Sequence, residues 1–351
     1  MGETTSNPFQ FKLGAQTHVG CVRTNNEDNF IVSADLASGE WLLPRSQNLF
    51  TLGAKGAVLV VADGMGGLDA GEVASRIAVD TVKTCFAADQ ITDEVVKDEE
   101  SIRRYMRNVV VAADGNIKRR SKEEKTIQAM GTTLVVAWLI GEYAYISWCG
   151  DSRAYLFNPV SGLKQVSKDH SYVQELVDSG RLLPEYAFDH PDSNIITRSL
   201  GNPQREAEPD FIRIPLQAGE TLLLCTDGLN SMLRDEEIEA VMQETEQQID
   251  TCVNALIQNA LDRGGHDNVT VVLCQLVAAG GGGAEELQKT VSLHTEKPKN
   301  RPLRKVLGAA LAVLLVLLVA AVLYWGWDGG WQRLSDWIRA VLAVDRANPA
   351  G

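Results

Sequence analysis

Three aspartates lie beside glycine or asparagine at the ends of apolar runs, and they are the residues best suited to chemistry in this chain. Asp63 and Asp227 each follow such a run, and Asp267 precedes one. Apolar runs of this length and composition are typical of buried β-strands. A carboxylate at a buried strand end is costly unless a cation neutralises it. Oxygen ligands without a cluster of Cys or His favour Mg²⁺ or Mn²⁺ over Zn²⁺.

An ordinary turn is the alternative explanation of these aspartates. Asp-Gly is a common turn dipeptide after a strand, and it occurs at Asp63 and at Asp227. The segment 63–67 reads Asp-Gly-Met-Gly-Gly, and so many glycines suggest a backbone brought close to something small. The residues alone therefore favour a metal site but leave a turn open as the explanation of each dipeptide.

Composition narrows the class of protein. The chain has 351 residues, 45% of them apolar, and a formal net charge of −13. This charge argues against non-specific nucleic-acid binding, which needs a positive surface. The six cysteines are scattered without a C-x-x-C pair, which predicts reduced thiols in a cytosolic domain. The first residues lack a basic and then apolar signal segment, so no secretory peptide is expected.

Strand and helix patterns alternate through residues 9–277, which predicts one large domain. The three middle strands follow one another through short turns, which predicts antiparallel hairpins. Two long helices lie together between strand groups and two more lie near the end, which favours α+β layers over a doubly wound parallel sheet. The predicted strands are 57–62, 132–138, 143–148, 154–157, 221–225 and 269–276, and the predicted helices are 71–88, 100–122, 235–246 and 248–263.

Two segments predict loops near a site. In segment 171–201 a short helix begins at Ser171, with Gln174 completing a capping box, and a stretch with little periodicity follows. Such a surface loop with its own helix often covers an active site. Segment 36–55 predicts an enlarged loop near the site or simple surface variation.

The C-terminal part predicts a membrane anchor. Residues 278–305 have the composition of a flexible linker, and 306–327 contain no charged residue over a length that spans a bilayer. Five basic residues lie between Lys297 and Lys305, which predicts a cytoplasmic domain and a single-pass helix. Residues 328–351 predict a short extracytoplasmic tail, with an amphipathic pattern that suits a membrane surface.

Eight motifs together resemble one family, the metal-dependent protein phosphatases (PPM, the protein phosphatase 2C family). The resemblance covers residues 14–276, and the form with Met65 and the 171–201 loop, called the flap, resembles the bacterial branch. It implies a four-layer α-β-β-α sandwich of two antiparallel sheets flanked by helix pairs. The motifs are Arg23-Thr24-Asn25-Asn26-Glu27-Asp28, the segment 63–67, Gly71-Glu72 with Ala74-Ser75, Gly131-Thr132-Thr133, Gly150-Asp151-Ser152-Arg153, Lys168-Asp169-His170-Ser171, Thr226-Asp227-Gly228 and Asp267-Asn268.

The resemblance also implies a role for each site residue. Asp63 is expected to bridge two Mn²⁺ or Mg²⁺ ions, with the Gly64 carbonyl on one of them. Asp227 and Asp267 are expected to complete the shell of the second ion. Asp151, with Asp227, is expected to hold a weaker third ion near the flap.

Three further residues complete the set that the resemblance implies. Glu27 and Asp28 are expected to act through waters or as close outer carboxylates, and Arg23 to grip the substrate phosphate. A guanidinium suits bidentate contact with two phosphate oxygens better than lysine does. Eukaryotic members often have a histidine, thought to protonate the leaving alkoxide, where this chain has Met65. His170 and His266 are left without a role, and water on an ion is the expected proton source.

The implied function is a membrane-tethered phosphatase that removes phosphate from Ser and Thr of proteins by means of a hydroxide bridging two ions. Its expected partners are phosphorylated proteins, including a bacterial Ser/Thr kinase and that kinase's targets, and its expected location is the inner membrane. One alternative is an inactive relative that serves as a binding module at the membrane. Another is a receptor, which the short segment after 327 disfavours because it is too small for an ordinary folded domain.

Overall fold

The computed structural model describes residues 9–41, 49–66, 70–123, 130–245 and 248–277. Every described residue belongs to the first of the two units into which the chain divides, Met1–Gly281. Its strands are β1 (Gln10–His18), β2 (Asp28–Ser33), β3 (Phe50–Thr51), β4 (Ala57–Gly66), β5 (Met130–Thr132), β6 (Leu134–Ile140), β7 (Tyr143–Cys149), β8 (Arg153–Asn158), β9 (Gly162–Gln165), β10 (Asp210–Pro215), β11 (Thr221–Cys225) and β12 (Val269–Val277). Its helices are α1 (Ala70–Cys85), α2 (Glu99–Glu123), α3 (Tyr172–Asp178), α4 (Asp227–Asn230), α5 (Asp235–Glu244) and α6 (Ile249–Asp262), with a 3₁₀ turn at Pro184–Tyr186.

The strands form two antiparallel sheets. The first has the order β3-β1-β12-β11-β8-β9, and the second has the order β10-β7-β6-β4-β2, with β5 paired to β4. Central strands are buried on both faces, so their sequences are continuously apolar rather than alternating. In β4, Leu59 and Val61 face the first sheet while Val58 and Val60 face the helices. This double burial explains why the apolar runs before the aspartates are the clearest strand signals.

Helices cover the outer face of each sheet. Helices α1 and α2 bury one apolar stripe, including Ala78 and Met106, against the second sheet. Helices α4, α5 and α6 bury another, including Leu256, against β11 and β12 of the first sheet. Each fully buried Leu or Met contributes about 1.5–3 kcal/mol relative to exposure. The predicted layering of two antiparallel sheets between helices is confirmed.

The predicted hairpin between 143–148 and 154–157 is wrong. Strands β6 and β7 do pair as a hairpin, but β7 lies in the second sheet and β8 in the first. The three residues Gly150, Asp151 and Ser152 carry the chain from one sheet to the other. Gly150 makes this crossing at φ +124°, in a region that L-residues rarely adopt.

Other predictions divide between confirmed and untested. Ser171 caps α3, because its Oγ accepts a hydrogen bond from the Gln174 amide at 3.2 Å. The side chain of Gln174 donates to Asp178 instead of completing the capping box. The predicted linker 278–305, transmembrane helix 306–327 and tail 328–351 lie outside the described residues, as does part of the loop 36–55. Among the helices that the structure describes, none combines the length and the apolar character needed to cross a bilayer.

Candidate metal centre

The antiparallel pairing brings the predicted carboxylates to one end of the two sheets. In the first sheet β8, β11 and β12 are neighbours. Asp151 before β8, Asp227 after β11 and Asp267 before β12 therefore lie at the same end of these strands. In the second sheet β2 pairs with β4 in a register that places Asp28 opposite Asp63. Residues more than two hundred positions apart in the chain therefore share one site.

Asp28 is held rigidly from one side only. It is 5% exposed, and its Oδ2 accepts hydrogen bonds from the hydroxyls of Thr226 (2.8 Å) and Thr270 (2.7 Å). Its Oδ1 is buried and has no hydrogen-bond partner. Burial raises the pKa of the Asp28 carboxyl to about 7, against the lowering effect of the two threonines. An unpaired acceptor in this position suits a cation.

Asp151 and Asp227 share with Asp28 the feature of an unpartnered oxygen. Each has a buried Oδ1 without a hydrogen-bond partner. Burial, and then the nearby carboxylate of Asp267, raises the pKa of Asp227 to about 6. Burial, and then Asp227 and Asp169, raises the pKa of Asp151 well above its ordinary value. These carboxyls repel one another when ionised, and bound cations would remove that repulsion.

Asp63 lies among the other aspartates. Its carbonyl accepts hydrogen bonds from the Thr132 hydroxyl at 2.7 Å and the Thr133 amide at 2.8 Å, and its amide donates to the Thr133 hydroxyl at 3.0 Å. These contacts fix the backbone at the end of β4. Burial, followed by Asp28, Asp227, Asp151 and Asp267, raises the pKa of the Asp63 carboxyl well above its ordinary value. The structure therefore brings Asp63 near the other predicted aspartates.

Gly64 is a point of close approach between three segments. A Cβ added there would lie 2.2 Å from the Gly71 carbonyl oxygen of α1 and 2.5 Å from the Glu27 carbonyl oxygen. The Gly64 amide donates to that same Glu27 oxygen at 3.2 Å. A Cβ at Gly71 would meet the Glu27 carboxylate at 2.5 Å. The two glycines therefore let the backbone before β2, the end of β4 and the start of α1 come together.

Arg23 lies beside the carboxylates, in the loop before β2. Its Nη2 donates to Asp267 Oδ2 at 2.7 Å, and its side chain is 52% exposed. Asp267 Oδ1 accepts a hydrogen bond from the Asn268 amide at 2.8 Å. The guanidinium is thus reachable from solvent and paired with one aspartate of the cluster.

Asn268 is a supporting residue to which the sequence analysis gave no role. Its Oδ1 accepts from the Glu27 amide at 2.8 Å, and its Nδ2 donates to the carbonyls of Val19 and Asn25, both at 2.9 Å. One carboxamide therefore ties the loop of Arg23 and Glu27 to the start of β12. Its position directly after Asp267 was the one available signal in the sequence. A polar side chain next to a buried site is expected to hold hydrogen-bond partners there.

A cleft of about 490 Å³ adjoins the centre on the flap side. Asp151 and Asp227 line one wall, and flap residues including Val173 and Phe188 line another. Arg234 lies over the Phe188 ring at 4.2 Å and pairs with Asp189 at 2.6 Å, so the flap is attached to the start of α5. The flap therefore lines the same cleft as Asp151 and Asp227.

The residues present fit divalent cations of the Mg²⁺ or Mn²⁺ type. Three buried carboxylate oxygens without partners, on Asp28, Asp151 and Asp227, lie at the same end of the two sheets. Within the described residues no group of three or more His, Cys, Asp or Glu side chains is arranged so that it could hold a metal ion by itself. Mg²⁺ keeps several waters and takes only one or two carboxylates directly, so water would have to supply the remaining ligands.

The family model for protein phosphatase 2C matches residues 47–274. The chain belongs to this family. It is therefore a metal-dependent serine/threonine protein phosphatase of the bacterial type, and the resemblance drawn from the motifs is confirmed.

Individual relatives agree with this assignment. The chain is 36% identical over 219 residues to the serine/threonine phosphatase stp of Listeria monocytogenes, covering 62% of this chain and 84% of that one. It resembles the solved structure of the serine/threonine phosphatase Stp1 from Staphylococcus aureus, with a TM-score of 0.66 and 30% identity over 79% of this chain and all of that one. It also resembles the catalytic domain of PstP, solved in complex with two manganese ions, with a TM-score of 0.60 and 31% identity over 77% of this chain and all of that one.

Proposed function

We propose that the protein hydrolyses phosphoserine and phosphothreonine residues of other proteins. The reaction would take place at the carboxylate-bearing end of the two sheets, with two core Mn²⁺ or Mg²⁺ ions and a third, more weakly bound ion. The observation that carries this proposal is the set of buried, unpartnered carboxylate oxygens on Asp28, Asp151 and Asp227. Asp63 and Asp267, with the Gly64 carbonyl, would complete the ligands. When bound, the ions supply an activated water as the nucleophile and offset charge on the phosphoryl oxygens.

The side chains of this protein position and neutralise the substrate. Arg23 would contact the phosphate oxygens through its planar guanidinium while its pair with Asp267 keeps it beside the carboxylates. Thr226 and Thr270 fix Asp28, and Asn268 fixes the loop of Arg23, so the constellation is rigid before substrate arrives. Glu27 would act on the outer side, where its carboxylate packs against Gly71.

We further propose that the phosphatase is tethered to the inner membrane and opposes a Ser/Thr kinase there. The support is the charge-free run 306–327 and the basic residues before it, all outside the described residues. A flexible tether would raise the local concentration of the domain near membrane-bound phosphoproteins.

The test is hydrolysis of a phosphothreonine peptide by the full chain, with and without Mn²⁺ or Mg²⁺. Asp63→Asn should lower kcat/KM more than about 100-fold, since it removes several kcal/mol of charge stabilisation in the transition state. Asp151→Asn should retain tight binding of the core ions in calorimetric titration while turnover slows. Asp250→Asn makes the same chemical change on the exposed first turn of α6 and should match the wild-type protein.

Two outcomes would contradict the proposal. A folded wild-type protein without turnover in either metal would favour the inactive binding module. Equal loss of tight metal binding in Asp63→Asn and Asp151→Asn would contradict the division into core ions and a third ion.

A further inference from the structure

His170 lies buried where the flap leaves the domain. It immediately precedes Ser171, the cap of α3, and it is 6% exposed. Its ring stacks on the Trp148 indole, with centroids 6.3 Å apart and planes 16° from parallel. The Trp148 Nε1 in turn donates to the Lys168 carbonyl at 2.8 Å. The imidazole is therefore fixed in orientation and closed to bulk solvent.

Two hydrogen bonds join His170 to Gly150. The His170 amide donates to the Gly150 carbonyl at 3.0 Å, and the Gly150 amide donates to the ring Nδ1 of His170 at 3.1 Å. Gly150 has φ +124°, and an added Cβ would lie 2.5 Å from the Thr133 Cβ. The backbone at Gly150 is thus an unusual conformation held from both sides. The next residue is Asp151, whose Oδ1 is buried without a partner.

The opposite side of the ring faces the start of β10. His170 Nε2 lies 3.3 Å from Asp210 Oδ2 without the geometry of a hydrogen bond, and the other Asp210 oxygen accepts from Arg198 at 3.3 Å. The His170 carbonyl accepts from the Thr197 amide at 2.8 Å. Because Nδ1 accepts a hydrogen bond, it carries no proton, and the neutral ring bears its proton on Nε2 toward Asp210. Burial lowers the pKa of His170, which favours this neutral form.

We propose that His170 is a positioning residue, which fixes the Gly150 peptide and so aims Asp151 at the third-ion position, while the Trp148 indole holds the plane of the ring. This inference rests on the proposed function, because it gives Asp151 its purpose as a ligand. His170 would then connect both ends of the flap, at Ser171 and Thr197, to Asp151 in the wall of the cleft. Groups that orient a metal ligand typically change affinity or activity about 10- to 100-fold when replaced.

Two amide substitutions separate the two sides of the ring. In His170→Asn the side-chain oxygen can take the place of Nδ1 and accept from Gly150. In His170→Gln the longer side chain reaches toward Asp210 but leaves no acceptor at the Nδ1 position. His190→Gln is the matched control, because His190 Nδ1 also accepts a backbone amide, that of Asp192 at 3.1 Å, at a different place on the flap.

Three measurements on the full chain test the inference. Calorimetric Mn²⁺ titration of His170→Gln should show the weaker site reduced about 10- to 100-fold with the core sites retained, and His170→Asn should restore most of that loss. Hydrogen exchange at the Gly150 amide should be slow in the wild-type protein and in His170→Asn, and fast in His170→Gln. The ¹⁵N spectrum of wild-type His170 should show an unprotonated Nδ1 and a protonated Nε2.

The outcomes are distinct from those that test the function. A protonated Nδ1 in the wild-type spectrum overturns the inference without any variant, even if His170→Gln does not fold. Weaker-site affinity and Gly150 exchange that match the wild-type protein in His170→Gln also overturn it. A wild-type protein that binds no Mn²⁺ overturns the proposed function and the aiming of Asp151 together. A fast-exchanging Gly150 amide in the wild-type protein overturns the inference alone.

Discussion

At the scale of single residues, the site is a set of carboxylates held by hydroxyl and amide groups. Thr226 and Thr270 donate to one oxygen of Asp28, and Asn268 donates to a backbone carbonyl of the Arg23 loop. The buried oxygens without partners on Asp28, Asp151 and Asp227 are the ones available to a cation. Cations are needed because several ionised carboxylates buried side by side would repel one another and would lose their hydration, which is strongly unfavourable.

Arg23 gives the most direct prediction at this scale. Arg23→Ala should raise the KM for p-nitrophenyl phosphate about 10- to 100-fold, because a charge-assisted hydrogen bond contributes about 1.5–3 kcal/mol. Arg23→Lys should raise it less, since the charge remains but the planar fork is lost. Steady-state kinetics at saturating Mn²⁺ measure both.

Arg103→Ala is a suitable control for the Arg23 variants. Arg103 lies on α2, is 48% exposed, and pairs with Glu99 rather than with the site. Unchanged kinetics in both Arg23 variants would show that Arg23 is not the phosphate clamp.

At the scale of elements, the flap is attached to the sandwich by a buried carboxylate on α2. Asp114 is 2% exposed, and its Oδ1 accepts from the Gly201 amide at 2.7 Å. Its Oδ2 accepts from Lys118 at 2.6 Å and from the Ala207 amide at 3.2 Å. One side chain therefore fixes both the end of the flap and the loop that leads to β10.

Asp114→Ala should destabilise the protein by about 3–5 kcal/mol, because it leaves two buried amides without their acceptor and Lys118 without its carboxylate partner, with only the Arg205 carbonyl remaining. Urea unfolding followed by circular dichroism measures this. Asp80→Ala removes an exposed carboxylate from α1 and should change stability by less than about 0.5 kcal/mol. Faster cleavage of the flap by a protease in Asp114→Ala should accompany the loss, and equal stability of the two variants would contradict the anchoring role.

Strands that are buried on both faces could be predicted from sequence, and edge strands could not. The runs at β4 and β11 are continuously apolar over 57–62 and 222–225, β12 is apolar apart from Thr270 and Gln275, and their predicted positions agree with the structure within a few residues. The strands that were missed include β1, β2, β3, β9 and β10. Of these, β2, β3, β9 and β10 are edge strands, which bury little and carry polar residues, and β1 lies inside its sheet but is only partly buried along most of its length. The connection at Gly150 was predicted to be a hairpin because a short loop can join two strands of one sheet or carry the chain from one sheet to the other.

The site was predictable in composition but not in its supporting contacts. Asp63, Asp227 and Asp267 each stand beside a strong strand signal, so their residue types and positions are visible in the sequence. The pairing of Asp28 with Asp63, and the link from His170 to Gly150, depend on strand register and on tertiary contacts. No local pattern encodes contacts of that kind.

At the scale of the whole molecule, the acidic site links stability to pH and to metal. The pKa of Asp28 is raised from 3.8 to about 7, and that of Asp227 from 3.8 to about 6. Between pH 3.8 and about 7, the metal-free folded state therefore binds more protons than the unfolded state. Its free energy of unfolding should fall as pH rises through this window.

Thermal unfolding after chelation should show this decrease, and added Mn²⁺ should reverse it because the ions replace the protons. Asp28→Asn should flatten the pH dependence, since the substituted side chain does not titrate. Asp250→Asn should keep the slope of the wild-type protein. A melting temperature that rises with pH in the chelated protein would contradict the assignment of raised pKa values.

Topology is the last prediction, and it concerns residues outside those described. The run 306–327 should cross the membrane once, with the phosphatase domain inside and 328–351 outside. The run is long enough to cross a bilayer and contains no charged residue. The five basic residues between Lys297 and Lys305 predict that its N-terminal side faces the cytoplasm. The domain would then act on phosphoproteins at the inner surface.

Reporter fusions at Gly351 measure this orientation directly. Alkaline phosphatase fused there should be active, because it folds only after export, and green fluorescent protein should be dark. The same reporters fused in place of residues 306–351 should give the opposite pattern and serve as the control. Fluorescence at Gly351 would place the C-terminus inside, and recovery of the full chain in the soluble fraction would show that 306–327 does not span a membrane.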